Sequence, residues 1–450
     1  MLLKGENSHE KKILSSCKIN YKIYFLLLLQ GFITTIYGTL RIYFLGTIPN
    51  TYIYSIGAQL VWVGLLYEII EEGIILPLYH FTGEEKLNSK ELENRITTGL
   101  ITFGGIYFIL FVLMLLGTKP LLSVLSANNE IIDVASKYIK LESFAYIFSI
   151  LSSTLLTGLI TRANKFSLFN FIILKAILII LFDLIFVSNY SFSFKFGIIG
   201  VAYTNILINF LMVIFAIYLF TKDNIHILRK RKLSFKWLKK LRYIGGISSI
   251  ESLVRNLAYI VMIGKMVNSV NEQGTYWIAN SFIWGWLLLP VLSLGELIKK
   301  ETSENTLAIK ENNIGYLILT LIICFVWIVT IPFWKTLFST ALNYPDVDKV
   351  YNLVILLLPF YIFFAFQNIF DAVFYGVGKT NYMLFESVVT NIIYYGTAYI
   401  LYINKLWIPS LEKIALLFGW GIIFDSIVSL LAYIWFRKKY QLKINHGDRI

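Results

Sequence analysis

Residues 23–40 read IYFLLLLQGFITTIYGTL and contain no charged side chain. A helix needs about 20 mostly apolar residues to cross the hydrocarbon core of a bilayer. Of the 450 residues, 57% are hydrophobic and only 15% are charged, whereas ordinary soluble domains carry about 25% charged residues. Apolar runs like 23–40 recur along the whole chain, and a soluble core could not bury so many. The sequence therefore predicts an all-α membrane protein that crosses the bilayer many times.

Twelve apolar stretches meet this length requirement, and we predict one transmembrane helix for each. They cover residues 20–45, 52–80, 96–117, 132–160, 166–188, 197–221, 245–268, 274–298, 313–341, 350–377, 382–403 and 412–436. A basic segment over residues 222–244 separates the first six helices from the last six. The predicted organisation is an N-terminal lobe over 1–221, a linker over 222–244, a C-terminal lobe over 245–437 and a tail over 438–450.

Basic side chains are distributed unevenly between the predicted loops. If the N-terminus is inside, 28 Lys and Arg residues fall in inner loops and only six in outer loops. Cytoplasmic loops of membrane proteins carry such an excess, which predicts a plasma-membrane protein with both termini and the linker in the cytoplasm. These loops account for the net charge of +13. No basic face interleaved with aromatic residues, as in nucleic-acid-binding domains, is present.

The basic linker also contains apolar residues, which predict a short amphipathic helix lying on anionic headgroups. These residues are Phe235, Trp237, Leu238 and Leu241. Elsewhere, Cys17 and Cys324 lie too far apart in the sequence to indicate a disulfide or a metal pair. We find no phosphate-binding loop and no nucleophile elbow. The sequence thus predicts neither an enzyme nor a cofactor, and any transport is driven by an ion gradient or is passive.

The two predicted lobes resemble each other at two places. Gly158 and Gly376 both precede a short polar turn that leads directly into the next predicted helix, with an offset of 218 residues. Ala58-Gln59 and Ala279-Asn280 both precede a Trp and a Gly, with an offset of 221 residues. Because each half has an even number of spans, this pattern predicts a parallel repeat with cargo bound between the lobes.

Charged side chains inside the membrane cost about 2.5–3.5 kcal/mol each on insertion scales, so they are functional candidates. In the C-terminal half, Glu251 and Arg255 lie four residues apart on one helix face. The tenth predicted helix carries Asp371 within a polar stripe that begins at Gln367 and ends at Tyr375. We hypothesise that Glu251 and Asp371 bind H⁺ or Na⁺ and that Arg255 tunes their pKa. The alternative is a permanent Glu251–Arg255 pair that only holds helices together.

The N-terminal half carries a second set of intramembrane charges. We predict that Arg41 pairs with Asp183 and that Lys175 pairs with Glu68 or Glu72, which makes these groups structural ion pairs. Helix kinks are predicted at Pro77, Pro290 and Gly376. The residues that we predict to line a substrate cavity are Gln59, Glu68, Glu72, Asn256, Asn280, Gln367, Tyr375 and Trp284, with Trp62 and Trp286 as further aromatic candidates.

Four segments carry a resemblance to a known family. They are LLTGLITRANK at Leu155–Lys165, GIIGVA at Gly197–Ala202, ESLVRN at Glu251–Asn256 and QNIFDAVFYGVGK at Gln367–Lys379. In their order, and with six helices on each side of a linker, they resemble the multidrug and toxic compound extrusion (MATE) transporters, within a superfamily that includes polysaccharide and lipid-linked oligosaccharide flippases. The resemblance extends over about residues 20–436.

The resemblance implies two six-helix lobes in a V and export of organic cations by H⁺ or Na⁺ antiport. In one branch of the family the coupling carboxylates lie on the seventh and tenth helices, where this chain has Glu251 and Asp371. In another branch they lie on the first and fifth helices. Asp183 matches the fifth-helix acid, but Arg41 replaces the first-helix acid and Ile179 replaces an Asn one turn before Asp183. Coupling is therefore expected in the C-terminal half.

The leading interpretation is a monomeric secondary transporter that exports amphipathic or cationic small molecules through alternating access. A flippase of lipid-linked or polysaccharide cargo is the first alternative, because basic residues could hold an anionic headgroup. The residues in question are Arg41, Lys140, Lys175 and Arg255. A membrane sensor or scaffold without transport activity is the second alternative.

Overall fold

The computed structural model describes residues 19–49, 52–83, 89–162, 165–223, 225–227, 232–447 and 450, and no strand occurs within these ranges. Some side chains inside them, including that of Glu251, lie outside the description. The first six helices are α1 (Tyr21–Gly46), α2 (Ile53–Gly83), α3 (Ser89–Val124), α4 (Asn129–Arg162), α5 (Lys165–Phe186) and α6 (Ile198–Lys222). The next three are α7 (Trp237–Ser269), the bent helix α8 (Gln273–Leu287 and Leu289–Glu304) and α9 (Asn313–Thr340). The last three are α10 (Val347–Gly376), α11 (Asn381–Val389, Thr390–Tyr395 and Gly396–Ile403) and α12 (Leu411–His446).

The helices coincide with the twelve predicted spans. In the described part of the chain, nine helices are long and apolar enough to cross a membrane, and α8 makes a tenth if its two segments form one span. The other two, α5 and α11, lie where the sequence predicts the fifth and eleventh spans. The fold is thus that of an all-helical, multi-pass membrane protein.

The seventh helix begins earlier than the sequence predicts. α7 starts at Trp237, inside the predicted linker, and Leu241 is buried in its second turn. The Trp237 Nε1 donates a hydrogen bond to Thr98 Oγ1 of α3 at 2.9 Å. Because Trp237 and Leu241 pack against protein, the amphipathic segment predicted to lie on headgroups forms the first turns of α7.

Within the described residues, α7, α8 and α11 each contain one π-helical segment. These segments are Tyr259–Gly264 in α7, Ile283–Leu287 in α8 and Thr390–Tyr395 in α11. The segment in α8 precedes a 51° bend, and Pro290 lies in the first turn after it, near the predicted kink. Pro77 lies inside α2. Gly376 does not kink a helix, because it is the last residue of α10.

The helices pack into two compact units, whose limits differ from the predicted lobes. The first unit contains Ile36–Trp277 together with Ala341–Pro345, and we call it the amino-terminal unit. The carboxy-terminal unit contains the chain up to Thr35, Ile278–Thr340 and Asp346–Ile450. The amino-terminal unit therefore includes α7, which the sequence assigns to the second lobe. The division at residue 222 remains a prediction about the two halves as functional lobes.

A backbone contact between two glycines explains why α7 packs within the amino-terminal unit. A Cβ atom placed on Gly245 of α7 would lie 1.9 Å from the carbonyl oxygen of Gly73 in α2. A Cβ on Gly73 would lie 2.8 Å from the Gly245 oxygen and 1.9 Å from Ser249 Oγ. Small residues let transmembrane helices approach to backbone contact, which increases van der Waals packing where no hydrophobic effect is available.

We expect Gly245→Ala to destabilise the amino-terminal unit by about 1–3 kcal/mol, the usual cost of overpacking a close contact. The methyl group meets backbone, which cannot rotate away as a side chain would. Gly246→Ala is the matched control, since a Cβ at Gly246 has no atom within 4 Å. Thermal unfolding of the detergent-solubilised variants measures both. Equal melting temperatures for the two variants would contradict the close contact.

Candidate functional site

A cluster of three carboxyl groups surrounds Gln367 in the carboxy-terminal unit. Gln367 Nε2 donates hydrogen bonds to Glu386 Oε1 at 2.9 Å and to Asp425 Oδ2 at 2.7 Å. Its Oε1 accepts a hydrogen bond from Ser426 Oγ at 2.9 Å. An amide has two donor hydrogens and one acceptor oxygen, so Gln367 uses all its groups to bridge α10, α11 and α12.

The third carboxyl group belongs to Asp371, one helical turn after Gln367. Asp371 Oδ1 accepts a hydrogen bond from Ser429 Oγ of α12 at 2.9 Å. Asp425 Oδ1 accepts another from Thr390 Oγ1 at 2.7 Å, and Thr390 opens the π-helical segment of α11. We call Asp371, Glu386 and Asp425 the carboxyl cluster.

Glu386 is the most enclosed acid of the carboxyl cluster. Its side chain is 4% exposed, and its second oxygen, Oε2, is buried without a hydrogen-bond partner within the described structure. The charges of Asp371 and Asp425 both repel a negative charge on Glu386. Leaving a buried polar atom unpaired costs about 1–3 kcal/mol, and more for a charged one. A proton bound at Oε2 would remove this negative charge and turn the oxygen into a donor.

The sequence analysis identifies Asp371 and Gln367 as members of this site, but it misses the other two acids, Glu386 and Asp425. Glu386 lies in the eleventh predicted span and Asp425 in the twelfth, each among apolar residues. The rule that marks Asp371, a charged residue inside an apolar span, applies equally to both. The third polar residue of the α10 stripe, Tyr375, lies apart from the cluster, and the Lys299 ammonium sits 4.8 Å from its ring centre.

The amino-terminal unit brings Arg41 of α1 and Asp183 of α5 together. Arg41 Nε lies 2.7 Å from Asp183 Oδ2, and a second guanidinium nitrogen lies 3.3 Å from Oδ1. Asp183 is fully enclosed, with 2% of its side chain exposed. The sequence missed the neighbouring acid Glu142 of α4, which is 3% exposed and accepts a hydrogen bond from Asn205 Nδ2 at 2.8 Å. Arg41 also attracts Glu142 electrostatically.

The other predicted pairs in this unit are rearranged. Arg255 of α7 binds both oxygens of Glu72 in α2, at 2.8 and 2.9 Å. Glu72 is therefore occupied by Arg255 rather than by Lys175. Lys175 is attracted instead to Glu71, the next residue of α2. The predicted role of Glu251 concerns a side chain outside the described residues.

The predicted cavity residues occupy different surroundings. Gln59 is fully buried and donates from Nε2 to Asn268 Oδ1 at 2.9 Å, so it holds α2 against α7 instead of facing a cavity. Asn256 Nδ2 donates to Ser252 Oγ at 3.3 Å within α7. Trp284 is 44% exposed and packs edge-on against Phe364. Glu68 is exposed, Trp62 is buried, and Asn280 and Trp286 are half-buried.

The sequence matches no family profile and no curated protein. Among solved structures, the inward-facing conformation of a multidrug resistance MATE family transporter of the MOP superfamily superposes with a TM-score of 0.74 at 16% identity, covering 93% of this chain and 98% of that one. An outward-facing conformation of such a transporter gives 0.68 at 16% identity, covering 96% and 98%. A MOP superfamily transporter from Pyrococcus furiosus, with a binding pocket of reversed polarity, gives 0.66 at 18% identity, covering 96% and 98%.

These matches extend over nearly the whole length of both partners, so the likeness concerns the complete fold. The all-helical architecture expected from the sequence agrees with them. The chain has the fold of the MATE transporters of the MOP superfamily.

Proposed function

We propose that this chain is a secondary active transporter, not an enzyme, that exports amphipathic or cationic small molecules by antiport with H⁺ or Na⁺. The observation that carries the proposal is the carboxyl cluster, three acids placed inside the membrane part of a transporter fold. Buried carboxyl groups inside transmembrane helices form proton relays and ion sites in pumps and transporters. Solved structures that share this fold include an inward-facing and an outward-facing conformation of a multidrug resistance MATE family transporter, which supports transport through alternating access.

The coupling ion binds to the carboxyl cluster, and H⁺ is the simplest ion for it. One proton on Glu386 Oε2 removes one of three negative charges that repel one another, and it leaves Oε1 as an acceptor for Gln367. Three neighbouring carboxyl groups in a low dielectric cannot all ionise without a compensating cation. Uptake of a proton from one side and its release to the other therefore drives the transport cycle. Na⁺ bound by the same oxygens is the alternative.

The cargo class follows from the charges of the amino-terminal unit. A flippase for anionic headgroups needs basic side chains that are available to the cargo. Here Arg41 is bound to Asp183 and Arg255 to Glu72, and Glu71 attracts Lys175. Because Arg41, Arg255 and Lys175, three of the four basic residues considered for a flippase, each face a carboxylate, these positions favour neutral or cationic cargo over an anionic headgroup.

The proposal includes the location and the assembly of the protein. The excess of 28 basic residues in predicted inner loops over six in outer loops supports a cytoplasmic location for both termini. The membrane is the plasma membrane, where export removes the cargo from the cell. The active form is a monomer, because the cluster lies within a single chain.

The test is uptake of a fluorescent cationic dye into proteoliposomes under separately imposed H⁺ and Na⁺ gradients. One proton moving down one pH unit releases about 1.4 kcal/mol, enough for about a tenfold dye gradient. We expect such dye accumulation under the pH gradient with the intact chain and none in empty vesicles. Accumulation under Na⁺ alone would assign Na⁺ as the coupling ion. The absence of gradient-driven dye movement in both arms would favour the sensor or scaffold.

A further inference from the structure

A cleft of about 620 Å³ opens where the segment before α7 meets the beginning of α3. Its lining includes five basic residues and a single acid, which are Lys90, Arg95, Lys232, Lys236, Lys240 and Glu91. The transport proposal does not use these residues, which all belong to the amino-terminal unit.

Hydrogen bonds fix the frame of this cationic cleft. Asn94 of α3 donates from Nδ2 to the Ser234 carbonyl, and its Oδ1 accepts from the Ser234 N–H, both at 2.9 Å. The bond between Trp237 and Thr98 adds a second tie between the two walls. The Trp237 ring also packs on Phe81 with ring centres 5.6 Å apart. These contacts join the segment before α7 to α2 and α3 around the cleft.

The charge inside the cleft is strongly positive. Glu91 Oε1 accepts a hydrogen bond from Arg95 at 2.7 Å, and Arg95 also donates to the Phe81 carbonyl at 2.5 Å. Among the described lining residues, the acid is thus matched by the arginine, and Lys232, Lys236 and Lys240 add three positive charges. Lys232, Lys236 and Lys240 are exposed, so their ammonium groups can reach a ligand. Ammonium groups are point charges that bind phosphate oxygens from several directions.

The position of the cleft identifies the source of the phosphate. α2 ends beside it, and α3 and α7 begin there, all of them helices long and apolar enough to cross a membrane. The ends of such helices lie at the headgroup level of the bilayer. Phe235 and Tyr243, which flank the lysines, are 45% and 76% exposed, as expected for side chains that enter the interface.

We propose that the cationic cleft binds the phosphate headgroup of an acidic phospholipid, with Lys232, Lys236 and Lys240 as its ligands. A bound lipid joins the segment before α7 to α3 at the membrane surface. This inference is independent of transport and of the identity of the coupling ion.

Binding of short-chain phosphatidylglycerol to the intact chain in detergent tests the proposal, with native mass spectrometry and thermal stability as readouts. Each lysine near an anionic headgroup contributes about a fivefold gain in affinity, so the triple variant Lys232→Gln, Lys236→Gln, Lys240→Gln is expected to bind on the order of 100-fold more weakly. The variant should fold, because the three side chains are exposed. The control is a triple variant of α12 with the substitutions Lys438→Gln, Lys439→Gln and Lys443→Gln. It removes the same charge and is expected to bind phosphatidylglycerol as the intact chain does.

Two further ligands identify what the cleft recognises. Phosphatidylcholine has a phosphate but no net charge, and we expect it to leave the thermal stability of the intact chain unchanged. We expect the same result with inorganic phosphate at the same concentration. Equal stabilisation by inorganic phosphate would overturn the assignment to a lipid. Equal loss of phosphatidylglycerol binding in the α12 control variant would overturn the site itself, since only the total charge would then matter.

Discussion

Replacing Glu386 by Gln is expected to abolish ion-driven export while the protein stays folded. Gln has the size of Glu but cannot gain or lose a proton, so the carboxyl cluster loses its most enclosed ion-binding group. The change also removes a buried group that Asp371 and Asp425 repel when it is charged. Under a gradient of one pH unit, the roughly tenfold dye accumulation of the intact chain should fall to the level of empty vesicles.

The control for this variant is Glu412→Gln, the same chemical change at an exposed position on α12. It should accumulate dye as the intact chain does. Melting temperatures separate loss of coupling from loss of fold, and the Glu386 variant should melt at or above the temperature of the intact chain. A stable Glu386→Gln protein with full accumulation would show that the ion binds elsewhere. Asp371→Asn then distinguishes the rest of the cluster from a site outside it.

Replacing Arg41 by Leu is expected to destabilise the amino-terminal unit by about 3–5 kcal/mol, the usual cost of breaking a buried ion pair. Asp183, whose side chain is 2% exposed, would lose both nitrogen contacts of the bidentate guanidinium. Glu142 would lose the same cation. Thermal unfolding of the purified protein measures the effect, which should appear as a large drop in melting temperature.

The double variant Arg41→Leu, Asp183→Leu tests whether the pair is structural. Replacing both partners of a buried ion pair by apolar residues is often neutral or stabilising, so most of the lost stability should return. Lys119 and Asp133 form an exposed ion pair at 2.6 Å in the same unit, and Lys119→Gln should leave the melting temperature nearly unchanged. If the double variant is as unstable as Arg41→Leu alone, the role of Arg41 is not limited to pairing with the charge of Asp183.

The helical architecture could be predicted because its signal is strong and local. A run such as 23–40 can satisfy its backbone groups inside a membrane only as a helix. Helix ends depend on contacts distant in sequence, and these cannot be seen in a local pattern. α7 begins at Trp237, whose indole binds Thr98, a residue of α3. The basic residues around Trp237 made this segment look like a surface linker.

Partners of charged groups were harder to predict than the groups themselves. Spacing along one helix places Glu251 and Arg255 on the same face, and it gives no sign that Arg255 binds Glu72 of another helix. Likewise, the amide of Gln367 selects Glu386 and Asp425 from two other helices. Sequence periodicity describes one helix at a time, whereas these contacts depend on how helices cross. Charged residues of functional interest can be found in the sequence because a charge inside an apolar span is costly. The partner of each charge cannot be found in this way.

The π-helical segments of α7, α8 and α11 change how these helices should be compared with relatives. A π turn holds one more residue than an α turn, so it absorbs an inserted residue without unwinding the helix. Successive residues of an α-helix are about 100° apart. Beyond the π turn, each residue therefore lies about 100° away from the direction that continuous α-helical counting from the start of the helix would give it. Against a relative whose helix is α-helical throughout, an alignment without a one-residue gap at Tyr259–Gly264, Ile283–Leu287 or Thr390–Tyr395 would pair residues that point in different directions.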